Sequence, residues 1–253
     1  MNIATRSQSE PARPHMLRRT AAEFLGTGLL VTIVVGSGIA AQRLSPDDVG
    51  LQLLENSLTT ALGLTVLILM LGPVSGAHFN PVVSIADWLL GRRAGTGLPL
   101  RDLTPYLLAQ VLGGIAGTFL AGVMFDAAPA LSSNDRATDG HLVGEVVATA
   151  GLVLLIFALA RTGKGSTTAA AVGAYIGAAY WFTSSTSFAN PAVTIARMFT
   201  DTFAGIAPAS VAPFIAAQLV GAAIGLGLLL ALYPTAARTA GDVVLPQQLE
   251  TQP

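Results

Sequence analysis

Six long apolar runs and two short polar-to-apolar breaks make up the pattern of this 253-residue chain. The runs cover roughly 20–41, 52–71, 103–125, 142–159, 168–182 and 211–232. Each is close to the ~20 apolar residues that cross a bilayer as a helix, so each is predicted to be a span. The breaks are SGAHFNPVVSIADW, turning at Asn80, Pro81 and Val82, and SFANPAVTIARMF, turning at Asn190, Pro191 and Ala192. Proline suits the first turn of a helix, where its missing N–H has no partner to lose. An asparagine just before it can cap that helix. The breaks are therefore read as loops entering helices too short to span, over 81–90 and 191–200. Polar residues 1–18 are predicted to be a disordered cytoplasmic tail, 126–140 a connecting loop, and 234–253 a second tail.

Composition agrees with a membrane protein. Hydrophobic residues make up 52%, charged residues 11%, and the mean hydropathy is +0.64; soluble domains carry about 25% charge. There is no cysteine, and the net charge of -1 gives no footprint for nucleic acid. Three histidines and no cysteine also make a metal site improbable.

The order span, span, broken helix, span occurs twice, over 19–125 and 141–233. Landmarks recur with it. Glu23 answers to Glu145, Asn80 to Asn190, and Gln110 in AQVLGGIAG to Gln218 in AQLVGAAIG. An odd number of spans per repeat inverts the second copy, and inverted repeats with broken helices hold a site or pore near the bilayer midplane. Ten of the thirteen Lys and Arg residues fall on the side of the termini, and Arg43, Arg136 and Arg197 fall on the other. The positive-inside rule then puts both termini in the cytoplasm and the 126–140 loop outside.

The half-helix N-termini carry unpaired N–H groups and partial positive charge. In hydrocarbon such donors must face water or a partner. The amides of Asn80 and Asn190 can donate to a passing hydroxyl, and two positive helix ends at the midplane repel cations. Glu23 and Glu145 are ionisable groups inside apolar spans, where they are costly. They are either a proton relay or acceptors for buried loop N–H groups. Gln110 and Gln218 read as buried supports. His78, two residues before Asn80, is either a pH gate or a packing residue of the loop.

The motifs EFLGT, SGAHFNP, ANPA and the paired AQ–G segments resemble those of the major intrinsic proteins, the aquaporins and aquaglyceroporins, over roughly 18–235. The resemblance implies an all-α integral membrane fold of six transmembrane helices plus two half-helices. It also implies a homotetramer with one pore per subunit, seated in a lipid bilayer as in a bacterial inner membrane. It favours structural roles for Glu23 and Glu145 and implies no cofactor. Two residues depart from the family pattern. Val82 stands where alanine is usual, and Val193 stands where an arginine lines the narrowest constriction. In the second respect the chain is similar to aquaglyceroporins associated with bacterial arsenic resistance.

Counting back from each asparagine, the resemblance assigns the constriction to Thr60, Ala178 (or Gly177 if the register slips), Ser187 and Val193. None of these is aromatic or charged. Small neutral residues imply a pore for glycerol-like polyols, undissociated arsenous acid, methylated arsenicals, urea and water. Arg197, four residues beyond Val193, keeps nearly the same helix face but lies ~6 Å further out. It is expected in the outer vestibule, either reaching back toward the pore or solvated at a helix end. An ion-coupled transporter is the rival reading, since it also uses inverted repeats. It would need ion ligands or titrating carboxylates along the path, and Glu23, Glu145 and Asp87 are the candidates. An enzyme is disfavoured because no nucleophile–base or metal-ligand cluster lies in the spans.

Overall fold

The computed structural model describes residues 14–92 and 95–234. Its helices are α1 (Met16–Leu44), α2 (Val49–Ser75), α3 (Pro81–Gly91), α4 (Leu100–Met124), α5 (Asp139–Arg161), α6 (Thr168–Phe182), α7 (Pro191–Ala196) and α8 (Pro208–Leu232). Local chemistry sets several ends. Asp48 caps α2 by accepting from Leu51 N–H at 2.9 Å, and Gly76, with φ 90°, closes α2 in the left-handed region. Pro81 and Pro191 occupy the first positions of α3 and α7. Helix α1 opens on His15, so residues 16–18 are helical rather than part of a disordered tail. The rest of the two predicted tails, 1–13 and 235–253, lies outside the described residues.

Five helices, α1, α2, α4, α5 and α8, are long and apolar enough to cross a membrane. Helix α6 has 15 residues, or ~22 Å at 1.5 Å per residue, and the 3₁₀ turn Gly165–Thr167 extends it at its start. Helix α7 is shorter than predicted. It ends at Ala196 and tightens to a 3₁₀ turn over Arg197–Phe199. Tightening lets the chain double back, so that Ile206 N–H donates to the Arg197 carbonyl at 3.3 Å.

Helices α1 and α4 run parallel and almost touch. A Cβ on Gly113 would lie 2.2 Å from the Phe24 carbonyl oxygen, and one on Gly117 would lie 2.1 Å from that of Gly28. The second repeat repeats the crossing between α5 and α8, where a Cβ on Gly221 or Gly225 would lie 2.5 Å from the Val146 or Ala150 carbonyl oxygen, respectively. Such close backbone approach needs small residues and is a common way to pack helices in lipid. The burial pattern is that of a membrane protein. Glu23, Gln110, Glu145 and Gln218 are fully buried, while Leu58, Leu62, Leu69, Leu219, Ile224 and Leu228 are exposed on the outer face.

The loop joining the repeats is tightly tethered. Ser132 N–H donates to the Met198 carbonyl at 2.9 Å, and Ala207 N–H donates to that of Asn134 at 2.7 Å. Arg136 donates through Nε to the Gly205 carbonyl at 2.8 Å and through Nη2 to that of Phe203 at 3.0 Å. Asp135 accepts from Ala137 N–H and the Ser210 hydroxyl, and Asp201 accepts from Ser133 N–H and Oγ. These bonds hold both carboxyls below the usual carboxylate range, chiefly through the backbone donors.

Candidate functional site

The two broken segments meet through their asparagines. Asn80 Nδ2 donates to the Ala189 carbonyl and Asn190 Nδ2 donates to the Phe79 carbonyl, both at 2.8 Å. Each Oδ1 caps its own half-helix, Asn80 taking Val82 N–H at 3.1 Å and Asn190 taking Ala192 N–H at 3.0 Å. The approach to each asparagine is strained in the same way. Non-glycine residues sit at positive φ three and one positions before it: Ala77 at 48° and Phe79 at 49°, then Ser187 at 52° and Ala189 at 47°. Each such residue costs about 1–2 kcal/mol, so something must hold it.

The glutamates hold it. Glu23 accepts from Ser75 Oγ at 2.6 Å, His78 N–H at 3.0 Å, Phe79 N–H at 2.7 Å and Gln110 Nε2 at 2.7 Å. Glu145 accepts from Phe188 N–H at 2.8 Å, Ala189 N–H at 2.9 Å and Gln218 Nε2 at 2.6 Å. Gln110 also donates to Ser84 Oγ, and Gln218 to Thr194 Oγ1. Each carboxylate is thus enclosed by donors from the loop it supports and by a glutamine from the neighbouring span. Val82 is 1% exposed, at the start of α3. His78 Nδ1 lies 3.0 Å from Ser84 Oγ, and its ring meets that of Tyr106 edge-on at 5.6 Å.

One cavity passes both asparagines. Its walls are helical ladders at a spacing of four: Thr60, Leu64 and Ile68 on α2, and Thr168, Val172, Ile176 and Tyr180 on α6. Thr60, Ser187 and Val193 line it, and so does His78. Ala178 does not, which corrects the sequence assignment. It is exposed on the outer face, and Gly177 faces Ala61 of α2, where a Cβ would lie 2.9 Å from the alanine methyl. Two residues of helix turn the side chain by ~200°, so the wall position falls to Tyr180, whose hydroxyl lies 3.2 Å from Thr60 Oγ1. Tyr180 closes an i, i+4 ladder with Thr168, Val172 and Ile176, but α6 is otherwise apolar all round, so nothing in the sequence alone favours that face.

Of the two readings of Arg197, the structure has the side chain reaching back toward the pore. The residue is 2% exposed and lines the same cavity as Val193. Its Cζ stacks 3.5 Å from the centre of the Phe188 ring, and its Nε donates to the Ala204 carbonyl. The reading of a solvated residue at the outer mouth fails because a helical side chain leans back over the turn preceding its own Cα. Four residues of rise are thereby largely recovered. The wall therefore includes an aromatic, Tyr180, which sequence reasoning missed, and a cation, which it had left as one of two alternatives. Among the described residues no group of three or more metal-ligating side chains occurs.

Comparison with known proteins agrees with this geometry. The family model described as MIP, Major intrinsic protein, matches residues 10–186. The chain is 50% identical over 215 residues to the aquaglyceroporin AqpS of Rhizobium meliloti (strain 1021), a match covering 85% of this chain and 89% of that protein. It is 32% identical over 185 residues to a probable aquaporin of TIP type from Medicago truncatula, covering 70% and 72%. In fold it is similar to the X-ray structure of the aquaglyceroporin from Plasmodium falciparum, with a TM-score of 0.61 and 19% identity, over 91% of this chain and 100% of that one.

Proposed function

This chain belongs to the major intrinsic protein family, and from that premise we propose which solutes its pore passes and how it sits in the cell. It is an integral membrane channel for small neutral solutes. The solutes are uncharged and hydroxyl-bearing, at the size of glycerol or undissociated arsenous acid, with methylated arsenicals, urea and water as further candidates. One observation carries this reading. The cavity passes both asparagine turns, is rich in apolar wall with a few hydroxyl and amide groups, one imidazole and one guanidinium, and among the described residues has no carboxylate in its lining. Alternating apolar wall and sparse polar groups suits a molecule with a carbon skeleton on one side and hydroxyls on the other. An ion-coupled transporter needs ion ligands, backbone carbonyls or carboxylates, on the path. Here Glu23 and Glu145 are spent on loop N–H groups.

The experiment is glycerol and arsenous acid flux into proteoliposomes by stopped-flow light scattering, with and without proton and sodium gradients. The expected result is flux proportional to the solute gradient and indifferent to ions. Uptake against a solute gradient, driven by an ion gradient, would overturn the channel reading.

The assembly is a homotetramer in a bacterial inner membrane with both termini in the cytoplasm. The excess of Lys and Arg on the terminal side supports this orientation. The chain has no native cysteine, so single cysteines report on sidedness. Leu131→Cys should label with an impermeant maleimide in intact cells, and Lys164→Cys only after permeabilisation. The reverse pattern sinks the orientation, and native mass spectrometry showing only monomers in mild detergent sinks the tetramer.

A further inference from the structure

The residue after the second Asn-Pro-Ala is Val193, yet the cavity wall holds a guanidinium. We propose that Arg197, reaching back one helical turn, supplies the cation and the hydrogen-bond donors of the solute-selecting constriction, where with Ser187 and the Thr60–Tyr180 hydroxyl pair it binds the adjacent hydroxyls of a neutral polyol. This deepens the reading of the pore given above and rests on it.

Three independent observations carry the assignment. Arg197 is almost completely buried, and among the described residues no carboxylate lies within ion-pair distance of it. An intramembrane cation without a counter-charge is costly, and such residues face a water-filled path or mark a functional site. Its protein contacts use only part of the side chain: Nε donates to the Ala204 carbonyl and the guanidinium plane lies on Phe188. Nη1 and Nη2 have no acceptor among the described residues, so two fixed donors remain for a solute.

The acceptor side is present too. Ser187 is 4% exposed, lines the same cavity, and its Oγ is buried without a hydrogen-bond partner. It directly precedes Phe188, the ring on which the guanidinium rests. Thr60 and Tyr180 bring their hydroxyls together in the facing wall. Donors, an unpartnered hydroxyl and a hydroxyl pair thus line one cavity, Tyr180 being close enough to Arg197 to act on its charge, and Val193 and Ile176 add apolar wall. A polyol fits such a wall, with hydroxyls toward Arg197 and Ser187 and carbons toward the aliphatic residues. The guanidinium is also clamped. Arg136, from the loop between the repeats, lies 5.3 Å from the same Phe188 ring, and Phe214 meets that ring edge-on.

The test uses purified full-length protein in proteoliposomes, comparing permeability to glycerol with that to erythritol, a longer polyol. In Arg197→Met, which keeps the aliphatic stem, the glycerol-to-erythritol ratio should fall roughly tenfold, the size expected when a charged donor is lost. The double variant Val193→Arg with Arg197→Met should restore the ratio, because a guanidinium rooted at 193 reaches the same stretch. A purely structural Arg197 would not be rescued from that position. An unchanged ratio in monodisperse Arg197→Met, or a loss that the double variant fails to restore, overturns the proposal. If Arg197→Met does not fold, Arg197→Lys decides: a compact ammonium lacks the fork geometry, so the ratio should still fall, and an unchanged ratio overturns the proposal. Wild-type protein that passes no glycerol at all would instead count against the channel's proposed solutes.

Discussion

Replacing Glu145 with glutamine separates a bracing carboxylate from a proton-relaying one. Glu145 accepts from Phe188 N–H on Oε1 and from Ala189 N–H and Gln218 Nε2 on Oε2, with the Ser185 hydroxyl as a further partner. A glutamine can keep its oxygen toward Phe188, which places an amide NH₂ against two N–H donors. Gln218 can rotate to present its unpartnered Oε1, but its Nε2 then leaves Thr194 Oγ1. Ala189 N–H has no such remedy and stays buried without an acceptor, at a cost of about 1–3 kcal/mol. Ala189 and Ser187 also sit at positive φ, a strain of about 1–2 kcal/mol each that the loop then resists less well. The expected net loss is roughly 2–4 kcal/mol, or a fall in the unfolding midpoint of roughly 4–16 °C at 2–4 °C per kcal/mol. Fluorescence-monitored unfolding in detergent, paired with glycerol flux at low temperature, measures both. Glu23→Gln should cost a similar amount, because Glu23 is held by the matching set of a serine, two loop N–H groups and a glutamine. A Glu145→Gln protein with wild-type thermal stability but no flux would refute the bracing role and favour a proton relay.

Asn190→Asp should lower neutral-solute flux in proteoliposomes and weaken cation exclusion, since a carboxylate cannot donate to the Phe79 carbonyl or to a solute; full retained permeability would remove Asn190 from the pore. Gly117→Ala puts a methyl 2.1 Å from the Gly28 carbonyl oxygen, and overpacking of this kind costs about 1–3 kcal/mol, to be read as a lower unfolding midpoint. Val193→Arg adds a second guanidinium to the cavity wall and should reduce glycerol and arsenous acid flux much more than water flux; equal reduction of all three would place the size limit elsewhere. Asp135 and Asp201 have folded pKa values below their unfolded ones, so the tethering they give the 126–140 loop is fully present above the unfolded value of about 4 and is lost as pH falls through the folded values. Amide exchange at 132–138 should therefore accelerate relative to the spans on acidification from pH 6 to 3, and uniform behaviour of loop and spans would contradict this.

The inverted repeat was legible because its landmarks are chemically costly. A glutamate, an Asn-Pro step and a glutamine within apolar runs have few places to go, and Glu23, Asn80 and Gln110 recur as Glu145, Asn190 and Gln218. The register of α6 was not legible. That helix is apolar all round, so nothing in its pattern separates the face toward the cavity from the face toward lipid. Counting back across residues 183–189 also assumed a regular connection, whereas Thr186, Ser187 and Ala189 take positive φ. The assignment therefore landed on Ala178 instead of Tyr180. Arg197 was only half legible, for a different reason. Its helix face was right, but the sequence shows neither that the helix tightens at residue 197 nor that Phe188 offers a ring to hold the guanidinium. Long-range partners of that sort appear only when loops far apart in the chain are brought together.

The exchange between the asparagines bears on the order of assembly. Asn80 is bonded to the carbonyl of Ala189, and Asn190 to that of Phe79. Synthesis delivers the first of these well over a hundred residues' worth of time before the second repeat can fold, since chains fold from the N-terminus as they emerge. Until then Asn80 has a cap to make but no opposite carbonyl, and the α3 turn waits open inside the bilayer. The first repeat is thus an unfinished lock whose last pin arrives with the second. Separately expressed halves should each insert as helices, yet only their co-expression completes the midplane seam.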